Sequence, residues 1–139
     1  MSSVATNDND KNNNFLFLST FTKNILNSHK SIRWVGMICK NGIIINEQYR
    51  EGLNPLLTEE ENQEYTINTI TRHTTRTKFE PKIGKLTYAF GRYENLSRFT
   101  IPINENYYLL LTMDFEENNF DKIIMEKIIS LIMKEKEKF

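Results

Sequence analysis

The stretch "IRWVGMICKNGIIINEQYR", residues 32–50, decides the fold. Its first part, residues 32–39, is apolar at successive positions, which indicates a strand that is covered on both faces. Asn41 and Gly42 then predict a tight turn in which both residues have positive backbone angles. The return strand, residues 43–50, begins apolar and ends polar, as edge strands do. The sequence therefore predicts a hairpin with a central first strand and an edge second strand.

Three further short strands are predicted in the second half of the chain. They are "KLTYAFGRY" (85–93), "SRFTIPI" (97–103) and "YYLLLTMDF" (107–115), and the short turns between them favour an antiparallel meander. The last of them is apolar on both faces, like the strand at 32–39. Placing these two doubly apolar strands side by side gives a five-stranded antiparallel sheet in the order 2-1-5-4-3.

Helical periodicity surrounds these strands. Apolar residues recur at helical spacing after residue 15 and again after residue 119. "TEEE" at 58–61 has the pattern of a capping box and, with the helical spacing of Ile67, Ile70 and Thr74, predicts a helix over 58–78. The resulting chain is α+β, with the element order α-β-β-α-β-β-β-α and helices on both faces of the sheet.

Length and composition predict one domain over residues 15–139, preceded by a disordered N-terminal tail at 1–14 that is too polar to pack. The formal net charge is zero, so there is no overall field that would attract nucleic acid. No stretch approaches the length of a membrane span and no signal core is present, so a cytoplasmic protein is expected. The single cysteine excludes an internal disulfide.

The order of elements and strands resembles Roadblock domains of the dynein-light-chain type, which belong to the wider profilin-like and longin-like group. The stretches at 32–61 ("IRWVGMICKNGIIINEQYREGLNPLLTEEE") and 82–111 ("KIGKLTYAFGRYENLSRFTIPINENYYLLL") also resemble an uncharacterised archaeal family of that shape. The resemblance implies a non-enzymatic module that homodimerises and regulates or scaffolds a protein partner, with a small GTPase as the candidate.

In domains of this type, two copies join along the third strand while their middle helices pack together. That strand is an edge in the predicted order, and its apolar residues make it a template for pairing. We therefore expect a homodimer with one continuous sheet of ten strands. The candidate interface residues are Ile67, Ile70, Thr74, Leu86, Tyr88 and Phe90.

Motifs that carry chemistry are not found in the sequence. His29 and His73 fall in different helices without a second ligand at metal-binding spacing, and there is neither a phosphate-binding loop nor a nucleophile elbow. No catalytic residue, metal site or cofactor is therefore predicted, and the chain is expected not to be an enzyme.

Charge is unevenly distributed along the chain. Residues 51–64 carry five Glu and no basic residue, whereas the stretch from Arg72 to Arg98 is basic. The candidate residues of a basic partner-facing surface are Arg72, Arg76, Lys78 and Arg92. A small-molecule sensor of the PAS or profilin-like type is the alternative function. A nucleic-acid surface is less favoured, because Tyr88 and Phe90 are expected to face a helix.

Overall fold

The computed structural model describes the backbone of residues 2–139 and the side chains of residues 14–139. The strands are β1 (Ile32–Cys39), β2 (Ile44–Tyr49), β3 (Ala89–Arg92), β4 (Leu96–Pro102) and β5 (Tyr107–Asp114). The first helices are α1 (Ser2–Asn27), α2 (Glu59–Thr77) and the short α3 (Glu80–Ile83). A C-terminal helix follows, made of α4 (Phe120–Lys122), a π-helical segment (Ile123–Ile128), α5 (Ile129–Glu135) and a 3-10 turn (Lys136–Lys138).

The five strands form one antiparallel sheet in the order β2-β1-β5-β4-β3, which confirms the predicted order. The two doubly apolar strands pair with each other at the centre of the sheet, with Val35 opposite Leu111. Continuous apolar runs mark strands that are buried on both faces, and this signal located β1 and β5 correctly. Pro102 is the last residue of β4, where a missing amide donor is tolerated.

One face of the sheet carries the main apolar core. Side chains of α1 and of the C-terminal helix, such as Phe21 and Ile124, pack there against Met37, Phe99 and Leu111 from the strands. The C-terminal helix turns its apolar side to the sheet as predicted, but its middle segment is π-helical. A π-turn holds more residues than an α-turn, so the positions of the helix that face the sheet differ from those of a regular α-helix. The last buried residue of the helix is Ile132.

The opposite face is covered by α2 and is much more polar. Trp34, Ile38, Tyr108 and Leu110 form a small apolar cluster there. The residues that α2 buries are Asn62, Thr66 and Thr69. The helix face of Ile67, Ile70 and Thr74, predicted as a candidate interface, is not the buried side of α2: Ile67 is 46% exposed and Thr74 is exposed, whereas Ile70 packs against the small cluster.

The threonines of α2 are compatible with a helix because their hydroxyls find acceptors. Thr69 and Thr74 donate hydrogen bonds to the carbonyls four residues earlier, each at 3.0 Å. At the start of the helix, Glu61 N donates to Thr58 Oγ1 at 3.1 Å, and Thr58 N donates to Glu61 Oε1 at 2.9 Å. The predicted capping box is therefore confirmed, and the helix ends within one residue of its predicted bound.

The β1–β2 hairpin is confirmed, but its turn differs from the prediction. Only Gly42 has a positive φ, of 85°, and Asn41 does not. The Asn41 side chain instead accepts a hydrogen bond from Ile43 N at 3.2 Å, while Gly42 N donates to Cys39 O at 2.8 Å. The loop that these hydrogen bonds close has three residues, 40–42, and its last residue, Gly42, is in the left-handed region. This is the next most common type of hairpin connection.

Two further differences concern the stretch before β4. A one-turn helix, α3, was not predicted; Pro81 occupies its first turn and Gly84, with φ of 91°, ends it. Because the chain turns here, β3 begins at Ala89 and not at Lys85. The backbone of α1 begins at Ser2, within the tail expected at 1–14; the side chains of residues 2–13 are not described, and the disordered tail stays a prediction. Within the described chain, no helix has both the length and the apolar character needed to cross a membrane.

Candidate interaction surfaces

The outer edge of β3 lies open. Tyr93 N donates to Leu96 O at 2.9 Å and closes the turn between β3 and β4. Backbone groups of an antiparallel strand point alternately to either side, so Ala89 and Gly91 face β4 while the amides of Phe90 and Arg92 point away from the sheet. Phe90 is 45% exposed and Tyr93 is 51% exposed. An unpaired strand with exposed aromatic residues is a template for pairing with another chain.

The candidate interface residues do not form one patch. Tyr88 and Phe90 lie on the face of the C-terminal helix, where Phe90 is 4.9 Å from Phe120 between ring centroids. Ile67 lies beside the β1–β2 hairpin, because a side chain at Gly42 would approach the Ile67 Cα to 2.6 Å. The hairpin and β3 are at opposite ends of the strand order, so Ile67 is remote from β3.

Thr74 and Leu86 are brought together in an open groove of about 830 Å³ between the end of α2, the end of β4 and the C-terminal helix. His73 also lines this groove, and its ring packs edge-on against Tyr108 at 4.7 Å between centroids. His73 Nδ1 is buried without a hydrogen-bond partner, and burial lowers the pKa of the imidazole. The histidine is therefore held neutral at physiological pH.

Two of the predicted basic residues, of which Arg72 is half-buried and Arg76 is exposed, lie near a third arginine that is buried. Arg72 and Arg76 of α2 and Arg98 of β4 line a cavity of about 100 Å³ between α2 and β3, which we call the arginine cavity. Tyr65 and Tyr93 line it as well, with 3.2 Å between their hydroxyl oxygens. Of the other two candidates, Lys78 lies 5.8 Å from the ring centroid of Phe79, and Arg92 donates to Asn118 at 3.3 Å.

Arg98 is the residue whose role the sequence prediction missed. It is only 7% exposed, and burial lowers the pKa of its guanidinium. Its Cζ atom lies 3.9 Å from the ring centroid of Tyr65 and 5.4 Å from that of Trp34. Its Nη2 donates to Asn62 Oδ1 at 3.0 Å. The available signal was a single charged residue in the otherwise uncharged strand "LSRFTIP", residues 96–102.

Acidic residues gather on the other side of α2. An open groove of about 850 Å³ separates this helix from β2 and is lined by Glu47, Glu59, Glu60 and Glu64 together with isoleucines. Burial raises the pKa of Glu47, and the neighbouring charge of Glu59 adds to this effect. The charge segregation noted in the sequence thus becomes a polarity across α2, acidic toward β2 and basic toward β3. Among the described side chains, no cluster of three or more His, Cys, Asp or Glu residues has an arrangement that could hold a metal ion.

Comparisons with known proteins identify the fold. Searches of family models and of curated proteins return no match. Among solved structures, the Roadblock/LC7 domain from Streptomyces avermitilis has a TM-score of 0.67 at 6% identity, over 86% of this chain and 95% of that one. Gliding protein MglB from Thermus thermophilus has a TM-score of 0.66 at 10% identity, over 86% and 88%. MglB with a tetrameric arrangement has a TM-score of 0.61 at 10% identity, over 84% and 88%.

Proposed function

We propose that this chain, which has the fold of Roadblock/LC7 domains, is a cytoplasmic and non-enzymatic interaction module. Two copies pair with each other, and the pair binds and regulates another protein, with a small GTPase as the candidate partner. The observation that carries the proposal is the open edge of β3, with two outward amides and two exposed aromatic residues. A tetrameric arrangement recorded for one MglB structure supports self-association in this fold.

The proposed pairing joins β3 of one chain to β3 of the other, so that two five-stranded sheets become one. Such an interface is self-complementary, because one patch serves both copies. Among the candidate interface residues, Leu86 and Tyr88 directly precede β3 and Phe90 lies within it. Thr74 lines the same groove as Leu86. The half-buried Ile70 packs against the small apolar cluster within one chain, and Ile67, which is 46% exposed, lies beside the β1–β2 hairpin.

The experiment is to change the free edge without changing the ladder between β3 and β4. Arg92→Pro removes an amide that points away from the sheet, whereas Arg92→Thr removes the same charge and keeps the amide. We expect light scattering after size exclusion to show dimers for wild-type protein and Arg92→Thr, and monomers for Arg92→Pro. Wild-type protein that is monomeric at micromolar concentration would refute the pairing.

The partner is tested separately by affinity capture from native cells, with wild-type protein and Arg92→Pro as baits. We expect mass spectrometry to find a small GTPase bound to wild-type protein and depleted from the variant. If other proteins are captured reproducibly in the same way and no GTPase is among them, the result supports an interaction module and rejects a small GTPase as its partner. Equal capture of the same partner by both baits would show that pairing is not needed.

A ligand-sensing function is the second candidate, and the groove at His73 favours it. Its volume of about 830 Å³ falls within the usual range for small-molecule sites. The buried Nδ1 of His73 lacks a partner that a ligand could supply. Native mass spectrometry of gently purified protein would show the bound mass, and its removal by unfolding and refolding should lower the melting temperature. A ligand-free spectrum with unchanged melting would reject this function.

A further inference from the structure

The arginine cavity holds three positive charges that the chain does not balance. Ion pairs in the described chain involve other residues, and none includes Arg72, Arg76 or Arg98. The groups around them are neutral: Arg72 Nη2 donates to Thr69 Oγ1 at 2.9 Å and to Tyr65 O at 3.4 Å. Arg98 is buried, Arg72 is half-buried and Arg76 is exposed. A buried charge is costly unless it is paired, so the unpaired Arg98, with two further guanidinium groups beside it, favours an anion in the cavity.

The donors of the cavity define what that anion is. Guanidinium groups present their N–H donors in a planar fork that suits phosphate and carboxylate oxygens. The hydroxyls of Tyr65 and Tyr93 add donors at the same place, and burial, more than their mutual hydrogen bond, raises the pKa of Tyr65. The Tyr65 phenol is therefore protonated and able to donate to an oxyanion at neutral pH.

The volume of the cavity limits the size of the ligand that it can hold. A volume of about 100 Å³ holds roughly three water molecules at about 30 Å³ each, which is the scale of a single phosphate-sized group. Drug-sized ligands and nucleotides need a site of about 300 Å³ or more. We propose that the arginine cavity binds one phosphate-sized oxyanion, held by Arg72, Arg76 and Arg98 with the hydroxyls of Tyr65 and Tyr93.

All five of these side chains belong to one chain, so the proposal does not require the pairing of two chains along β3, although Tyr93 also lies at that edge. The anion is either free inorganic phosphate or the phosphoryl group of a modified side chain, since both offer the same oxygens. Isothermal titration calorimetry with inorganic phosphate and with O-phosphoserine, each at constant ionic strength made up with sodium chloride, distinguishes these sources. Tighter binding of phosphoserine assigns the cavity to a phosphoprotein, and tighter binding of phosphate assigns it to the free ion.

The variant Arg72→Gln/Arg76→Gln tests the residues, because both lie on α2 and neither is as buried as Arg98. We expect its affinity for the anion to fall by about tenfold or more, as for the loss of hydrogen bonds to a charged group. Arg92→Gln is the matched control: it removes a nearby arginine that does not line the cavity, and its affinity should equal that of wild-type protein. Circular dichroism checks that both variants are folded.

Two results would overturn the proposal. One is the absence of heat from either anion at millimolar concentration with folded wild-type protein. The other is equal affinity in wild-type protein and in the folded Arg72→Gln/Arg76→Gln variant, which would place the anion elsewhere on the surface. A second readout is the ultraviolet absorbance of tyrosine, which should change on binding in wild-type protein and not in Tyr65→Phe/Tyr93→Phe.

Discussion

Gly42 of the hairpin and Thr66 of α2 are in direct contact: Thr66 Oγ1 donates to Gly42 O at 2.8 Å. Gln63 Nε2 donates to the same carbonyl at 3.0 Å. A Cβ atom at Gly42 would lie 2.6 Å from the Ile67 Cα and 2.8 Å from Thr66 O, closer than packed atoms allow. The hairpin turn is therefore one of the points at which α2 is fixed to the sheet.

We expect Gly42→Ala to lower the free energy of unfolding by about 2–4 kcal/mol, from the positive φ and from the clash with α2. Gly52→Ala is the matched control, because Gly52 also has a positive φ, of 76°, but a Cβ there meets nothing within 4 Å. That variant should lose about 1 kcal/mol. Urea denaturation measures both, and equal losses would show that the contact with α2 is unimportant.

Asp114, at the end of β5, binds Arg33 of β1 and Arg50, which follows β2. From these ion pairs we expect the protein to lose stability in acid. The Asp114 carboxylate accepts hydrogen bonds from Arg50 at 2.8 and 3.0 Å and from Arg33 at 3.2 Å. The hydrogen bond from Arg50 is the largest cause of the lowered pKa of Asp114. The stabilisation is complete above the unfolded pKa of about 3.9 and is lost as the pH falls through the lower folded pKa.

Asp114→Asn should therefore lower the free energy of unfolding at pH 7 by about 1–2 kcal/mol, a value reduced for partial exposure. The difference from wild-type protein should shrink once the pH is lowered through the folded pKa. Glu94→Gln, at an exposed position outside the ion pairs of the described chain, is the control and should cost little at either pH. A difference between Asp114→Asn and wild-type protein that persists unchanged at low pH would contradict the pKa assignment.

Asn62 supports the buried guanidinium of Arg98, and its removal should destabilise the protein. Asn62→Ala leaves Arg98 without its 3.0 Å acceptor in a buried site, at a cost of about 2 kcal/mol. Asn68→Ala changes the same residue type in the same helix at an exposed position and should have a small or slightly stabilising effect. Thermal unfolding compares the two, and equal melting temperatures would show that Arg98 does not depend on Asn62.

The sequence predicted the sheet well because burial on both faces leaves a direct record in it. The apolar runs at 32–39 and 107–115 could only be central strands, and the strand order followed from them. The face of α2 was harder to predict, because the buried Asn62 and Thr66 form hydrogen bonds to Arg98 and Gly42, which are distant in sequence. A periodicity of apolar residues cannot detect a polar contact of this kind.

The sequence predicted which residues make the candidate site basic, but not how these residues are arranged in space. Arg72 and Arg76 were expected on a basic surface, and both do line one cavity. Arg98 belongs to the same basic stretch, but its position under α2 depends on the register of β4 against β5, where it lies opposite Thr112. The short helix α3 likewise shortened β3 through a turn at Gly84 that no hydrophobic pattern marks.

The unequal character of the two sheet faces has a consequence for native-state hydrogen exchange. Helix α2 rests on threonines, an asparagine and an arginine, whereas α1 and the C-terminal helix rest on a continuous apolar core. Detachment of α2 alone uncovers only the small apolar cluster, while the larger core on the other face stays closed, so this helix should open as a separate cooperative unit at lower free energy than the sheet. Its central amides should then exchange faster than those of β1 and β5, and a partner or an anion that holds α2 down would slow them selectively.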